Sequence, residues 1–436
     1  MRIYDILGIG FGPANLALAI ALEETLPDVT SHFLEARAAP AWQDGMLLSG
    51  SNIQNNPVRD LVTLRNPRSR YSFINYLFEE DRLIEHLNLP VEFPLRKEYA
   101  QYFRWVATHF ARYADFGANV VDLEASDLGD GPGYVATTQD GRRFAGRAVA
   151  VGPGRTPYVP EPFAAALGPR VFHLTDYLPR MASLTRPPKR VAVIGGSQSA
   201  VEIVLDLAKR FPEAEVVNYV RSFSLRLKDT SPFSEEGYFP GFTKYYYGAS
   251  RDRKRSLDGY LRLTNYSSAD ADVLHELYVL MYEQRLDGCQ RLQVRGSRQV
   301  IDIGEKDDRV GLVVAEVNYG DIEHDEVDLV VVATGFRDLG PEPNQEPYPP
   351  MLVGLSDQLT FDQDGYLAIN EDYSLITAPA DAPPVFLNGL CESTHGIGDS
   401  GSFSLLSLRA AAIVRGYLAR CGSKPVPLRE MEDSNR

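Results

Sequence analysis

Two glycine-rich turns, far apart in the chain, carry the residue types that bind dinucleotides. The first spans residues 8–15 (GIGFGPAN) after the apolar residues 3–7, and the second spans residues 195–200 (GGSQSA) after residues 191–194. Glycines let a backbone approach a pyrophosphate, whose negative charge then faces the free N–H groups at a helix N-terminus. The residues expected to form these two sites are Gly8, Gly10, Gly12, Pro13, Asn15, Gly195, Gly196, Ser197, Gln198 and Ser199.

Two such turns together are a stronger indication than either alone. A single glycine fingerprint is weak because tight turns also need glycine, but each of these lies between a strand pattern and an amphipathic helix pattern. One protein that binds two dinucleotides is most simply a flavoprotein that takes hydride from a nicotinamide. In the second turn Ser197 replaces a glycine; its side chain narrows the space for a pyrophosphate, although its hydroxyl can donate to phosphate.

Further positions fit the same roles. Glu35 ends the predicted strand 32–34, where a carboxylate can accept hydrogen bonds from ribose hydroxyls. Arg221 follows the predicted strand 216–220, where a guanidinium favours the 2′-phosphate of NADPH, although a surface arginine fits the pattern equally well. The apolar strand 327–333 leads into Thr334 and Gly335, and such a turn is typical of flavoproteins with two dinucleotides.

The composition excludes several classes of protein. The 436 residues are 44% hydrophobic and 24% charged, as in globular proteins, and the net charge of −15 argues against nucleic-acid and anionic-membrane partners. No apolar run is long enough for a membrane span. Because the chain enters a strand almost at once, and because its three cysteines are far apart, we expect no secretory signal and a cytoplasmic protein. Scattered histidines and cysteines predict no metal site.

The pattern of elements predicts an α/β fold with two dinucleotide-binding, Rossmann-like domains and a small, mostly helical insertion. Helices are expected at 16–26, 99–113, 199–211, 270–285 and 403–418, and a hairpin at 133–147. We expect residues 1–186 to form the first part of the FAD domain, 187–232 and 288–326 the NADPH domain, and 233–287 the substrate insertion. Residues 327–436 should complete the FAD domain with a C-terminal helix and a polar, disordered tail at 430–436.

Several segments together resemble the flavin-dependent N-hydroxylating monooxygenases that act on ornithine and lysine in siderophore biosynthesis. The similar segments are residues 42–46 (WQDGM), 54–64 (QNNPVRDLVTL), 96–105, 231–233 (SPF), 264–267 (TNYS), 394–397 (THGI) and 405–407 (LLS). The resemblance extends from Gly8 to about Arg409. It implies that NADPH reduces FAD, that dioxygen forms a C4a-hydroperoxyflavin, and that a neutral primary amine attacks it. Because a free amine has a pKa near ~10.4, a drying pocket or an alkaline optimum is expected.

The resemblance also implies roles for individual residues. Asn265, Gln54 and Ser407 would line the reacting centre, and Arg59, Glu235 and Asn265 would bind the substrate. Further cofactor contacts would come from Trp42, Met46, His395 and Leu406. Plainer interpretations exist for three of them: Asn265 as a turn residue, Ser407 as a small residue at a helix contact, and His395 as a core histidine bonded to backbone.

Two departures from the family pattern fall on the substrate pocket. Arg59 stands where the family has lysine, and Glu235 stands where it has asparagine. Arg59 can still bind a carboxylate, whereas Glu235 would bind the α-ammonium of an amino acid, bind the far ammonium of a diamine, or pair with Arg59. The expected substrate is therefore ornithine or lysine, with putrescine or cadaverine as the alternative. A sulfide or ketone monooxygenase is the alternative class, and a homotetramer or homodimer is expected from the family.

Overall fold

The computed structural model describes residues 1–306, 308–399 and 401–422 of the chain, so the tail at 430–436 lies outside it. In chain order the strands are β1 (Ile3–Ile9), β2 (Ser31–Glu35), β3 (Ala114–Phe116), β4 (Val120–Asp127), β5 (Pro132–Thr138), β6 (Arg143–Val151), β7 (Val171–His173), β8 (Arg190–Ile194), β9 (Glu215–Tyr219), β10 (Leu292–Arg295), β11 (Arg298–Lys306), β12 (Arg309–Glu316), β13 (Ile322–Val327), β14 (Leu329–Val332) and β15 (Val385–Leu387). The helices are α1 (Pro13–Thr25), α2 (Phe73–Glu79), α3 (Leu83–Leu87), α4 (Arg96–His109), α5 (Glu161–Ala164), α6 (Tyr177–Ser183), α7 (Gln198–Arg210), α8 (Pro232–Glu235), α9 (Pro240–Tyr247), α10 (Arg251–Leu261), α11 (Ala271–Leu286), α12 (Glu392–His395) and α13 (Leu406–Cys421).

The first glycine turn belongs to a seven-stranded sheet. Its order is β3-β2-β1-β6-β5-β4, and β15 also pairs with β6. Strands β2, β1, β6 and β15 run parallel, whereas β4, β5 and β6 form an antiparallel meander that contains the predicted hairpin. Because β1 runs directly into the turn and α1, the turn lies at the edge of the sheet where β1, β2 and β6 end.

The second glycine turn belongs to a five-stranded parallel sheet with the order β10-β9-β8-β14-β7. Helix α7 packs on one face of this sheet, and the antiparallel sheet β11-β12-β13 packs on the other. The alternating burial along β12 follows from this packing, because one face of each antiparallel strand meets the core and the other faces water.

The sheet memberships differ from the predicted boundaries at residues 186 and 327. Strand β14, expected in the FAD domain, lies beside β8, and β7 lies on the far side of β14. The Thr334-Gly335 turn therefore follows a strand of the second sheet. The physical reason is that parallel sheets are completed by strands from distant parts of a chain, and a single strand's apolar pattern does not say which sheet it joins.

The elements between and after the two sheets complete the molecule. Helices α8–α11 form the insertion, and α13 packs along α1 on the first sheet. The predicted α/β class with two Rossmann-like units is confirmed. The seven-stranded sheet with its helices is the first unit, and the five-stranded sheet with its helices is the second unit. Among the described helices, none combines the length and apolar character that crossing a bilayer requires. The described residues likewise hold no cluster of histidine, cysteine and acidic side chains suited to a metal ion.

Candidate active site

The first turn leaves space in front of the N-terminus of α1. Gly10 has φ +84°, and a Cβ there would lie 2.5 Å from the carbonyl oxygen of Gly152, so only glycine fits. At Gly12, the N-cap of α1, an added Cβ would meet no atom within 4 Å, and no side chain caps the helix. Glu35 Oε2 accepts a hydrogen bond from the Phe11 N–H at 2.8 Å, so the predicted ribose-binding carboxylate borders the turn. These features fit a pyrophosphate.

Two predicted contacts in this turn face the protein. A Cβ at Gly8 would lie 2.1 Å from the Phe33 ring, so this glycine serves the packing of β1 on β2. The Asn15 side chain is fully buried and donates to the carbonyl oxygens of Ile9 at 3.0 Å and Gly10 at 2.8 Å. Gly8 and Asn15 therefore shape the turn, and their direct contact with the cofactor stays a prediction.

The second turn opens on a cavity of about 690 Å³ between the second sheet and the insertion. Predicted residues that line it are Gly195, Gly196, Ser197, Ser199, Arg221, Asn265, Thr334 and Gly335. Gly195 has φ +142°, and a Cβ there would lie 2.3 Å from the Ala333 carbonyl oxygen, so β8 and β14 pass too closely for any side chain. The cavity thus joins the second turn to Asn265, which the family resemblance implies at the reacting centre.

Side chains of this turn divide into those that face the cavity and one that does not. Ser197 is the N-cap of α7, and its hydroxyl makes no capping hydrogen bond. Arg221 is exposed at the cavity wall. Gln198 turns away: its Oε1 accepts from the Asp270 N–H at 2.8 Å and its Nε2 donates to Glu202 Oε1 at 3.0 Å. The Gln198 side chain is thus held by the protein, and its contact with the dinucleotide stays a prediction.

Gln54, Arg59 and Glu235 lie in a charged cluster at the junction of the first unit and the insertion. The amide of Gln54 donates to Asp270 Oδ2. Arg59 Nη1 lies 3.9 Å from Glu235 Oε2 and donates to Ser404 Oγ at 3.3 Å. Burial raises the pKa of Glu235, and the charges of Lys228 and Arg59 oppose that rise. Glu235 and Arg59 therefore lie close enough to pair, and binding of an α-ammonium or of the far ammonium of a diamine by Glu235 stays a prediction.

Trp42 and the start of α13, which carries Leu406 and Ser407, lie at the core of the first unit. Ser407 lies in the first turn of α13, is 1% exposed, and its Oγ has no hydrogen-bond partner among the described residues. A buried hydroxyl without a partner is costly in a folded protein, so its position fits a bound group that would supply the partner. Trp42 packs edge-on against Phe403, with ring centroids 5.1 Å apart. Leu406 is buried as the first residue of α13.

His395 and Met46 belong to the protein core. His395 is 1% exposed, its ring lies 4.1 Å from that of Tyr373 in a stack, and its Nε2 lies 3.3 Å from the Glu371 carbonyl oxygen. Burial lowers the pKa of His395, which keeps the ring neutral. Met46 is 5% exposed and packs into the core of the second unit. Their roles as cofactor contacts stay predictions.

Sequence reasoning missed the polar network beside Gln54. The guanidinium of Arg96 binds both carboxylate oxygens of Glu202, each at 2.9 Å, and this pair is buried. Glu202 then bonds Gln198, and Gln198 bonds Asp270. A Glu on the buried face of a predicted helix was the signal for the first pair, because an acid is seldom fully buried without a partner.

A family model described as L-lysine 6-monooxygenase/L-ornithine 5-monooxygenase matches residues 2–338. L-ornithine N(5)-monooxygenase from Burkholderia cepacia is 36% identical, with 97% of this chain and 96% of that protein covered. The chain belongs to the L-lysine 6-monooxygenase/L-ornithine 5-monooxygenase family. This confirms the family predicted from the motifs and the assignment as an N-monooxygenase.

Solved structures of family members have the same fold. The reduced form of ornithine hydroxylase from Pseudomonas aeruginosa is 32% identical with a TM-score of 0.88, covering 96% of this chain and 100% of that one. Ornithine N-hydroxylase from Kutzneria sp. 744, solved with reduced FAD, NADP⁺ and L-ornithine, is 30% identical with a TM-score of 0.89, covering 97% and 100%. The family assignment leaves the alternative class of sulfide or ketone monooxygenases without support.

Proposed function

We propose that the protein is an FAD- and NADPH-dependent monooxygenase that N-hydroxylates the side-chain amine of L-ornithine, with L-lysine as the second amino acid candidate. The observation that carries the proposal is that Asn265 and the second glycine turn line one cavity. The similar proteins named for ornithine, matched over nearly their whole length, support the choice of amino acid.

The two turns divide the cofactors between them. The space at Gly12 and the uncapped N-terminus of α1 fit the FAD pyrophosphate, and Glu35 fits its ribose. Ser197 and Arg221 fit NADPH, with Arg221 facing the 2′-phosphate. When bound, NADPH would supply the hydride that reduces the flavin, and the reduced flavin would supply activated oxygen from dioxygen.

The two charged side chains proposed to bind the substrate match the charges of an amino acid. Arg59 binds the α-carboxylate and Glu235 binds the α-ammonium, so that the amino acid takes the place of their mutual contact at 3.9 Å. Asn265 accepts or donates a hydrogen bond at the side-chain nitrogen, which must be neutral to react. Since a free amine has a pKa near ~10.4, exclusion of water at this site favours loss of its proton.

The test is an assay of the purified flavoprotein against a panel of amines. NADPH consumption and hydroxylated product are measured with L-ornithine, L-lysine, putrescine, cadaverine and α-N-acetyl-ornithine. We expect product with L-ornithine in proportion to NADPH consumed, and little with the acetylated analogue because it lacks the ammonium that Glu235 binds. Oxidation of NADPH without any hydroxylated amine contradicts the proposal.

A diamine is the second candidate, and Glu235 is the observation that favours it. Its carboxylate would bind the far ammonium of a diamine, while the nearby Arg59 has no substrate carboxylate to bind. R59M separates the candidates: it raises KM for L-ornithine, which carries a carboxylate, and leaves KM for cadaverine unchanged or lower.

We further propose a cytoplasmic homo-oligomer. The thiols of Cys289, Cys391 and Cys421 are unpaired, in keeping with a reducing compartment. Large apolar side chains on α2 and α3, including Phe78, Ile84 and Leu87, are exposed and would suit burial between copies. Light scattering of the purified holoprotein distinguishes a tetramer or dimer from a monomer.

A further inference from the structure

Asp270 stands at the N-cap of α11, yet its carboxylate does not cap that helix. Aspartate is favoured at an N-cap because its oxygen accepts from the first-turn N–H groups. Here Oδ2 accepts instead from Gln54 Nε2, and Oδ1 lies 3.8 Å from Lys228 Nζ. The carboxylate thus faces the first unit and gives up the capping interaction with its own helix.

The backbone of the same residue reaches the second unit. The Asp270 N–H donates to Gln198 Oε1 at 2.8 Å, and Gln198 is the first residue of α7, directly after Ser197. The Gln198 N–H in turn donates to the Ser268 carbonyl oxygen at 2.9 Å. Through one residue, the start of α7 at the second glycine turn is therefore joined to Gln54.

The backbone of Gln54 has an unusual conformation that its neighbours must stabilise. Its φ is +53°, a left-handed conformation that side-chain-bearing residues seldom adopt unless their surroundings hold them there. Its N–H donates to Asn52 Oδ1 at 2.9 Å, and Asp270 holds the side chain. Because a carboxylate only accepts hydrogen bonds, the amide must turn its NH₂ towards Asp270, which leaves its oxygen facing the opposite side.

We propose that Asp270 is a positioning residue that fixes the Gln54 amide relative to the start of α7, and thereby aligns the flavin side of the site with the nicotinamide side. The inference rests on the proposed function for the identity of the two cofactors. This role depends on the position of the Asp270 carboxylate oxygens. The uncharged amide oxygen of an asparagine would lie at the same distance from the backbone and could still accept a hydrogen bond from Gln54.

The experiment compares D270N, which keeps the position of the accepting oxygen, with D270E, which keeps the charge and moves it by one methylene. D272E, at an exposed aspartate in the first turn of the same helix, is the control. Binding of NADP⁺ is measured by calorimetry, and coupling as product formed per NADPH consumed. We expect D270E to weaken NADP⁺ binding about tenfold and to lower coupling, as loss of one charge-assisted hydrogen bond would. D270N and D272E should stay within about threefold of wild type.

A double variant tests whether Asp270 acts through Gln54. In the Q54A background D270E should change coupling no further, because the side chain that it positions is gone. The inference is overturned if D270N is impaired while D270E is not, or if the effects of Q54A and D270E add. Calorimetry reads NADP⁺ binding even if no amine is hydroxylated, so failure of the proposed substrate and failure of this inference are separate outcomes.

Discussion

The distance between the charged groups of Arg59 and Glu235 is long for an ion pair. A contact of this length is weak enough to be replaced by contacts with a substrate. Their nearest atoms are 3.9 Å apart, whereas charge-assisted hydrogen bonds are typically about 2.7–2.9 Å. The two side chains are 25% and 30% exposed, so each can be reached from the solvent. A zwitterion of matching polarity would replace one long contact by two short ones, and the pair thus prepares a site with no net charge of its own.

Replacing Glu235 should weaken substrate binding selectively. In E235Q the α-ammonium loses its charged partner, so we expect KM for L-ornithine to rise about tenfold with a smaller change in kcat. Steady-state kinetics measure both constants. E236Q, at the exposed neighbouring acid, is the matched control and should behave as wild type. A lower KM in E235Q would mean instead that Glu235 only neutralises Arg59.

Ser407 allows a test that separates folding from binding. Its buried hydroxyl has no hydrogen-bond partner among the described residues. S407A should therefore raise the free energy of unfolding of the flavin-free protein by about 0–2 kcal/mol. If a bound group supplies the missing partner, the same variant should bind FAD or the amine less tightly. Thermal unfolding of apoprotein and holoprotein measures both effects. A destabilised apoprotein would show that the hydroxyl has a protein partner.

At the scale of elements, the glycine turns were predictable and the membership of several strands was not. Turn, strand and helix follow from neighbouring residues, which is why residues 8–15 and 195–200 were found with their helices. Which sheet β14 joins depends on pairing with β8, far away in the chain, and no local pattern records that. The sequence pattern predicts Asp270 at the start of a helix, but it does not indicate the bonds of this residue to Gln54 and Gln198, which are likewise long-range.

Gly10 and Gly12 of the first turn should respond differently to replacement by alanine. G10A places a methyl group 2.5 Å from a carbonyl oxygen at a positive φ, so it should destabilise the fold by several kcal/mol. G12A meets no protein atom and has an ordinary φ, so the apoprotein should keep its stability and lose affinity for FAD. Chemical denaturation and flavin titration distinguish them. Normal FAD affinity in G12A would exclude a pyrophosphate at this position.

At the scale of the molecule, buried polar residues join parts that the sequence shows as separate. The pair Arg96–Glu202 links α4 of the first unit to α7 of the second, and Asn388 links β15 to the first turn through Asn15. The residue types could be predicted to need partners, but the partners could not be named. Fold class, family and the two turns thus came from the sequence, and the contacts between units came from the structure.

Two buried histidines should make the protein sensitive to acid. Burial lowers the pKa of both His173 and His395 in the folded state, whereas in the unfolded chain each binds a proton below about pH 6.5. Stability should therefore fall as the pH drops below that value, by up to about 1.4 kcal/mol per pH unit for each histidine. Denaturation of wild type and H395Q at several pH values tests this.

The H395Q variant should be less stable at pH 8 and show a shallower loss on acidification, because one titrating ring is gone. H275Q, at an exposed histidine on α11, is the matched control and should keep the slope of wild type. If the unfolding free energies of wild type and H395Q fall equally steeply with pH, His395 binds its proton as well in the folded protein as in the unfolded chain.

The first glycine turn is also supported by residues that follow it at a long distance in the chain. Asn388 donates to Asn15 at 3.0 Å, Arg409 holds Asn388 at 2.9 Å, and β15 borders the same edge of β6. During synthesis on the ribosome, Asn15 therefore emerges 373 residues before Asn388, the residue that supports it. Nascent chains that stop short of residue 385 should be released without flavin, so that loading of this cofactor is a late event in the biogenesis of the enzyme.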